Sequence, residues 1–206
     1  MLNSEQIQAL CENVEKPMIS PYFNDTNKII KLGFNGEDAI VPSFGTSEAG
    51  YDVRLGGRFK IPQKGEFANG PSHFCYRPAN KDDHIFVNYE MISREPGQFI
   101  TIEPGQFMLG VTMEKFCMPA DVMGICTGKS TLARMGLHCL VTPLEAGWEG
   151  YLTLELVNHS PNPIVMVVGM GICQINFHKI EPTQRSYAKR QGKYMDQPYE
   201  PIIPRI

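Results

Sequence analysis

The chain lacks any C-x-x-C pair, any apolar run near the ~18 residues that a membrane-spanning helix needs, and any surplus of positive charge. Each absence removes a class of function. A net charge of −3, from 19 basic and 22 acidic side chains, leaves no broad basic face for nucleic acid and no polybasic membrane anchor. Six cysteines (Cys11, Cys75, Cys117, Cys126, Cys139 and Cys173) lie scattered. That usage fits a reducing, cytoplasmic setting in which thiols serve as small hydrophobes rather than metal or redox groups. The opening MLNSEQIQALCENVEK is polar and acidic, without the basic stub and apolar core of a secretory signal.

What is present centres on residues 128–155, GKSTLARMGLHCLVTPLEAGWEGYLTLE. Gly128 is followed by Lys129, Ser130 and Thr131, and Arg134 comes soon after. A glycine admits close approach of backbone N–H groups, and a lysine with flanking hydroxyls supplies charge and donors for phosphate oxygens. A nucleotide-binding P-loop would need glycine at position 123, which is Met123, and a long helix after Thr131, where Gly136 intervenes. The P-loop reading is therefore rejected.

At 206 residues the chain reads as one domain. Ser4 as N-cap, with Ile7, Leu10, Cys11 and Val14 in helical spacing, predicts a helix within residues 1–17, ended by Pro17. Residues 17–50 read as loops and short strands. Gly50–Gly56 alternates as a half-buried strand with Asp52 and Arg54 on one face, read as an ion pair within the sheet. Residues 62–82 form a polar excursion, a long loop or insertion. Strands follow at 85–87, 99–102, 107–112, 137–142, 151–157, 164–168 and 172–177, with turns at Glu95-Pro96-Gly97 and Glu103-Pro104-Gly105. Short strands so punctuated indicate an all-β sandwich or barrel. From Glu181 a basic, aromatic tail leaves two readings open: a disordered terminus, or a flap that orders over an anionic ligand.

On the strand 151–157, Leu152, Leu154 and Leu156 point to the core, so Thr153 and Glu155 share the opposite face about 7 Å apart. If that face is covered, by another subunit or a ligand, Glu155 is desolvated and its pKa rises into acid/base range.

Lys129-Ser130-Thr131-Leu132-Ala133-Arg134, then Val141-Thr142-Pro143-Leu144-Glu145, Trp148-Glu149-Gly150, Thr153-Leu154-Glu155 and Gly171-Ile172-Cys173-Gln174 together resemble the dCTP deaminases of the dUTPase superfamily. So do Gly50-Tyr51-Asp52-Val53-Arg54 upstream and Ser186-Tyr187, Gly192-Lys193-Tyr194 and Gln197 in the tail. The resemblance spans roughly residues 45–200 and rests on several ordered motifs rather than one. It implies a distorted β-barrel of the dUTPase-like, β-clip kind. It further implies a homotrimer with sites at subunit boundaries, a tail (181–206) that closes over the site, and zinc-free hydrolysis of dCTP to dUTP and ammonia that supplies thymidylate synthesis. By position, Glu155 matches the catalytic glutamate, and Ser130 and Arg134 the residues that hold water and ring. Substrate contacts fall on Lys129, Thr131, Leu132, Ala133, Glu145, Thr153, Leu154, Gln174, Tyr187, Lys193 and Gln197. Mg²⁺ would arrive with the triphosphate. The residues agree on zinc: no His is followed two positions later by Glu, as zinc nucleobase deaminases require. One carboxylate would then take the proton of water and deliver it to the ring nitrogen. The alternatives are a dUTP diphosphatase or bifunctional enzyme, with Glu145 near the place of the phosphate-cleaving aspartate, and a nucleotide-sensing trimer without turnover.

Overall fold

The structure, a computed structural model, describes residues 1–12, 14–63, 89–182, 187, 189 and 192–204. Most of the 62–82 excursion, the strand expected at 85–87, Cys75 and Ser186 lie outside the described residues.

Among the described residues the fold is all-β, in three sheets, with two short helices. The first sheet runs β10 (Leu137–Leu140), β11 (Glu149–Asn158), β8 (Phe107–Cys117), β5 (Arg58–Pro62), β6 (Tyr89–Ser93), and β1 (Ile19–Ser20) also pairs with β8. The second runs β2 (Asn27–Lys31), β3 (Asp38–Ser47), β4 (Gly50–Arg54), β13 (Gly171–Lys179), β9 (Val122–Gly128). A small third sheet pairs β7 (Phe99–Ile102) with β12 (Ile164–Val167). Tyr51, Phe59, Phe116, Ile172, Ile175 and Phe177 are among the side chains of one continuous core. No described helix is long and apolar enough to cross a membrane.

Several expectations are corrected. The first helix, α1, covers only Ser4–Ala9, and its N-cap is Asn3, which forms a reciprocal capping box with Gln6. It stops early because the Leu10 carbonyl accepts from Met18 N–H, so the chain turns into β1 instead of continuing to Pro17. The region 17–50 holds the ten-residue strand β3, whose Pro42 falls at a register irregularity against β2, where a missing N–H costs no ladder bond. Strand β10 ends at Leu140 rather than Thr142. Asp52 and Arg54 do not pair with each other. Arg54 donates from Nε to Glu114 at 2.7 Å and from its backbone N–H at 2.9 Å. Glu114 is fully buried, and its pKa is raised by that burial against the pull of Arg54. A second helix, α2 (Ser130–Arg134), follows Gly128 and is only five residues long.

Candidate active site

Strand β11 alternates as its sequence requires: Leu152, Leu154 and Leu156 are buried, while Tyr151, Thr153, Glu155 and Val157 form a half-covered outer face. Glu155 lies between Leu140 on β10 and Leu109 on β8, so both lateral neighbours are apolar. Burial raises its pKa from 4.5 to about 7, opposed only by a hydrogen bond from its own backbone.

The cover comes from the same chain. Past Leu140 the chain leaves the sheet, and a reciprocal pair of hydrogen bonds between Leu144 and Gly124, 2.9 and 2.8 Å, ties the Val141–Glu145 turn to β9. From the other side residues 192–204 run along β11. Trp148 Nε1 donates to the Tyr194 carbonyl at 2.6 Å, Tyr151 N–H donates to the Gln197 carbonyl at 3.0 Å, and Gln197 bridges Gly150 in parallel. The Thr153 hydroxyl donates to Gln197 Oε1 at 2.9 Å and accepts from Ile202 N–H at 3.0 Å. Gly150 permits this contact: its φ is +140°, and a Cβ there would stand 2.5 Å from Gln197 N. Tyr199 anchors the segment further on, accepting from Gly57 N–H at 2.9 Å and packing edge-on against Tyr151.

Turn, strand and tail enclose a cavity of about 380 Å³ that Thr153, Glu155, Glu145, Tyr187 and Gln197 all line. Five of the residues expected at the site are thus together. The others are elsewhere. Leu132 and Leu154 are core side chains, so only their backbone can face a ligand. Gln174 sits in the second sheet opposite Asp52 and Thr127, donating to Ser47 Oγ at 3.1 Å. Lys129 donates to Asp52 Oδ2 at 2.6 Å and to Ser43 Oγ at 3.1 Å. Ser130, Thr131, Ala133 and Arg134 are exposed on and around α2, and none lines the Glu155 cavity. Lys193 is exposed in the tail. Among the described residues no group of three His, Cys, Asp or Glu side chains is placed to hold a metal ion.

Sequence reasoning missed Ser43, Tyr199 and Ile202. The only available signal was the Pro198-Tyr199-Glu200-Pro201 run, whose two prolines stiffen a segment that would otherwise fray.

Comparison with known proteins identifies the family. A dCTP deaminase of Anaplasma phagocytophilum is 42% identical over 181 residues, covering 87% of this chain and 86% of that protein. A dCTP deaminase of Acidobacterium capsulatum is 39% identical over 187 residues, 90% of each chain. Among solved structures, the 2'-deoxycytidine 5'-triphosphate deaminase of Agrobacterium tumefaciens shares the fold with a TM-score of 0.53 at 21% identity. That match covers 87% of this chain and 47% of the other, so the chain spans about half its length. Residues 25–180 match the family described as dCTP deaminase-like. With that match across three quarters of its length and relatives near 40% identity, the chain belongs to the dCTP deaminase-like family.

Proposed function

We propose that the protein hydrolyses dCTP to dUTP and ammonia, with Glu155 as the acid/base. The observation that carries this reading is a single strand-borne carboxylate, raised to about 7 by burial in a nucleoside-sized cavity. A group so poised takes a proton from water near neutral pH and gives it to N3 of the cytosine ring, making C4 electrophilic. Water oxygen bonds to C4, Glu155 passes the proton of the new C4 hydroxyl to the amino group, the C4–N bond breaks as the C4 carbonyl forms, and the balance is dCTP plus water giving dUTP plus ammonia. The turn Val141–Glu145 lines the same cavity as Glu155, and in this scheme its backbone would help orient the water. Glu155 performs both proton transfers, so the scheme calls for no zinc.

Ser130 and Arg134 hold water and ring in this scheme, yet in one chain they stand outside the cavity. About 10 Å of β10 separates the end of α2 from the Leu140–Glu155 pair. This supports a homotrimer in which one subunit's α2 completes its neighbour's cavity. Mg²⁺ enters as part of the substrate, on phosphate oxygens and water rather than in a protein cage. The scattered free thiols fit a cytoplasmic enzyme.

One observation favours a second reading. Glu145 lines the same cavity as Glu155, so a second carboxylate is available there to activate a water. The test is incubation of purified protein with dCTP, following ammonia and separating nucleotides. Equimolar ammonia and dUTP supports deamination alone. Stoichiometric dUMP and pyrophosphate establishes the bifunctional reading, and absence of ammonia removes the deaminase reading.

A further inference from the structure

On strand β8, FMLGVTMEKFC, the residues Met108, Gly110, Thr112, Glu114 and Phe116 share the core-facing parity, and all are buried. Thr112 and Glu114 are the polar members of that row, and both are 0% exposed. Polar side chains so deep need partners, and the partners show what they hold. Glu114 is held by Arg54 at the end of β4. The Thr112 hydroxyl donates to the Glu114 carbonyl at 2.8 Å and accepts from the Leu152 N–H at 3.0 Å.

Leu152 lies where the ladder between β8 and β11 is irregular. Tyr151 pairs with Lys115 and Thr153 with Val111, so four steps along β8 are matched by two along β11, and Leu152 falls in the gap. The excess makes a bulge in β8. That bulge leans towards the second sheet: Leu55 bridges Thr112, and the Gly56 N–H donates to the Val111 carbonyl at 2.7 Å. A side chain, that of Thr112, therefore satisfies a buried amide at a point where the ladder is interrupted. Past the bulge the register runs Val111 with Thr153, Gly110 with Leu154 and Leu109 with Glu155. Thr153 and Glu155, two polar groups of the cavity, take their places from this one irregularity.

We propose that Thr112 is a positioning residue, which acts through the Leu152 amide to lock the β8 bulge and so fixes Thr153 and Glu155 in the cavity. The proposal rests on the deaminase reading for the role of Glu155. Without the hydroxyl the excess length of β8 is free to shift along the strand, and each shift carries Leu109 away from Glu155. The outer face of β11 then moves relative to the turn and tail that complete the cavity. A misplacement of the acid/base group by about 1 Å costs on the order of 10²-fold in rate. Binding draws on the whole cavity wall, so KM moves less than kcat.

The experiment compares kcat and KM for dCTP in wild type, Thr112→Ser and Thr112→Val, with rates expressed per folded chain by circular dichroism. Valine keeps the branched shape and removes the hydroxyl, so the Leu152 N–H and the Glu114 carbonyl both lose that partner. Serine keeps the hydroxyl. Thr112→Val is expected to lower kcat by about 10²-fold with KM little moved, and Thr112→Ser to restore most of the rate. Wild-type kcat in Thr112→Val, an equal loss in Thr112→Ser, or a change confined to KM overturns the proposal. If Thr112→Val fails to fold, Thr112→Cys carries the test, since a thiol is only a weak donor and acceptor. A kcat below that of Thr112→Ser then supports the proposal, and a kcat equal to it or above overturns it. Hydrogen exchange separates failure of this proposal from failure of the deaminase reading. The Leu152 amide should exchange faster in the valine or cysteine variant than in Thr112→Ser even if wild type releases no ammonia, and equal exchange defeats the positioning role.

Discussion

Replacing Glu155 by Gln should make the protein more stable as it loses its chemistry. The carboxyl is raised from 4.5 to about 7, so between those pH values the folded chain keeps a proton that the unfolded chain has released. Stability therefore falls as pH rises from about 4.5 through 7, by at most ~3 kcal/mol at 1.36 kcal/mol per pH unit. Below 4.5 both states are protonated and the penalty vanishes. Glutamine keeps the shape without the charge. The variant should melt above wild type at pH 8, by up to about 6–12 °C for a chain of this size, and the gap should shrink strongly at pH 5. Arg134 supplied across a subunit boundary would draw the carboxyl pKa down, so these figures are ceilings. Ammonia release by the same variant should fall at least ~10²-fold, because an amide cannot accept the proton of water. Paired thermal melts at the two pH values, with ammonia assays on the same samples, check both halves. An equal melting difference at both pH values, or a variant less stable than wild type at pH 8, would refute the assignment of a buried, proton-retaining Glu155.

Truncation after Ile180 should leave a folded protein, because β13 ends at Lys179, yet raise KM for dCTP by more than about tenfold by removing Tyr187 and Gln197 from the cavity wall. Steady-state kinetics with circular dichroism decide it, and unchanged KM would return the tail to a mere terminus. The same truncation should move the acid limb of kcat/KM to lower pH, since Glu155 regains water and its carboxyl falls back towards 4.5. Arg54→Met should cost about 3–5 kcal/mol in denaturant titration, because it strands the fully buried Glu114 without its cation. A loss under about 1 kcal/mol would show that the pair contributes little.

The strand that carries Glu155 was the most legible part of the chain because its signal is local. Three leucines at alternate positions decide which way Glu155 faces, and nothing distant can reverse that parity without moving all three into water. The desolvation of Glu155 was foreseen as a conditional, and the cover proved to be the chain's own turn and tail. The helix at the N-terminus was over-read because Leu10, Cys11 and Val14 keep helical spacing, while the bond that ends the helix, Met18 to Leu10, is not a matter of periodicity. Strand β3 was lost to Pro42 and Gly45, residues that break short-range patterns but are tolerated, at a bulge and at a positive-φ strand position, once β2 and β4 are in place. The pairing of Asp52 illustrates the harder limit. Strand alternation correctly placed Asp52 and Arg54 on one face, yet both found stronger partners on other strands and turns, which a local pattern does not encode. The family resemblance named the residues of the site, but only the fold shows that Glu155 and the Ser130–Arg134 helix do not meet within one chain.

The one proton of the Thr153 hydroxyl is committed in the resting chain, given to Gln197, while the oxygen accepts from the Ile202 N–H. Any ligand that accepts the Thr153 proton has to take it from Gln197, so the net return on that contact is the difference between two similar bonds. Entry becomes a substitution, and so does exit: the tail regains its own bonds as product leaves, which favours departure of a product that fits less well than the substrate. A site whose walls satisfy one another when empty gives up raw affinity and gains turnover.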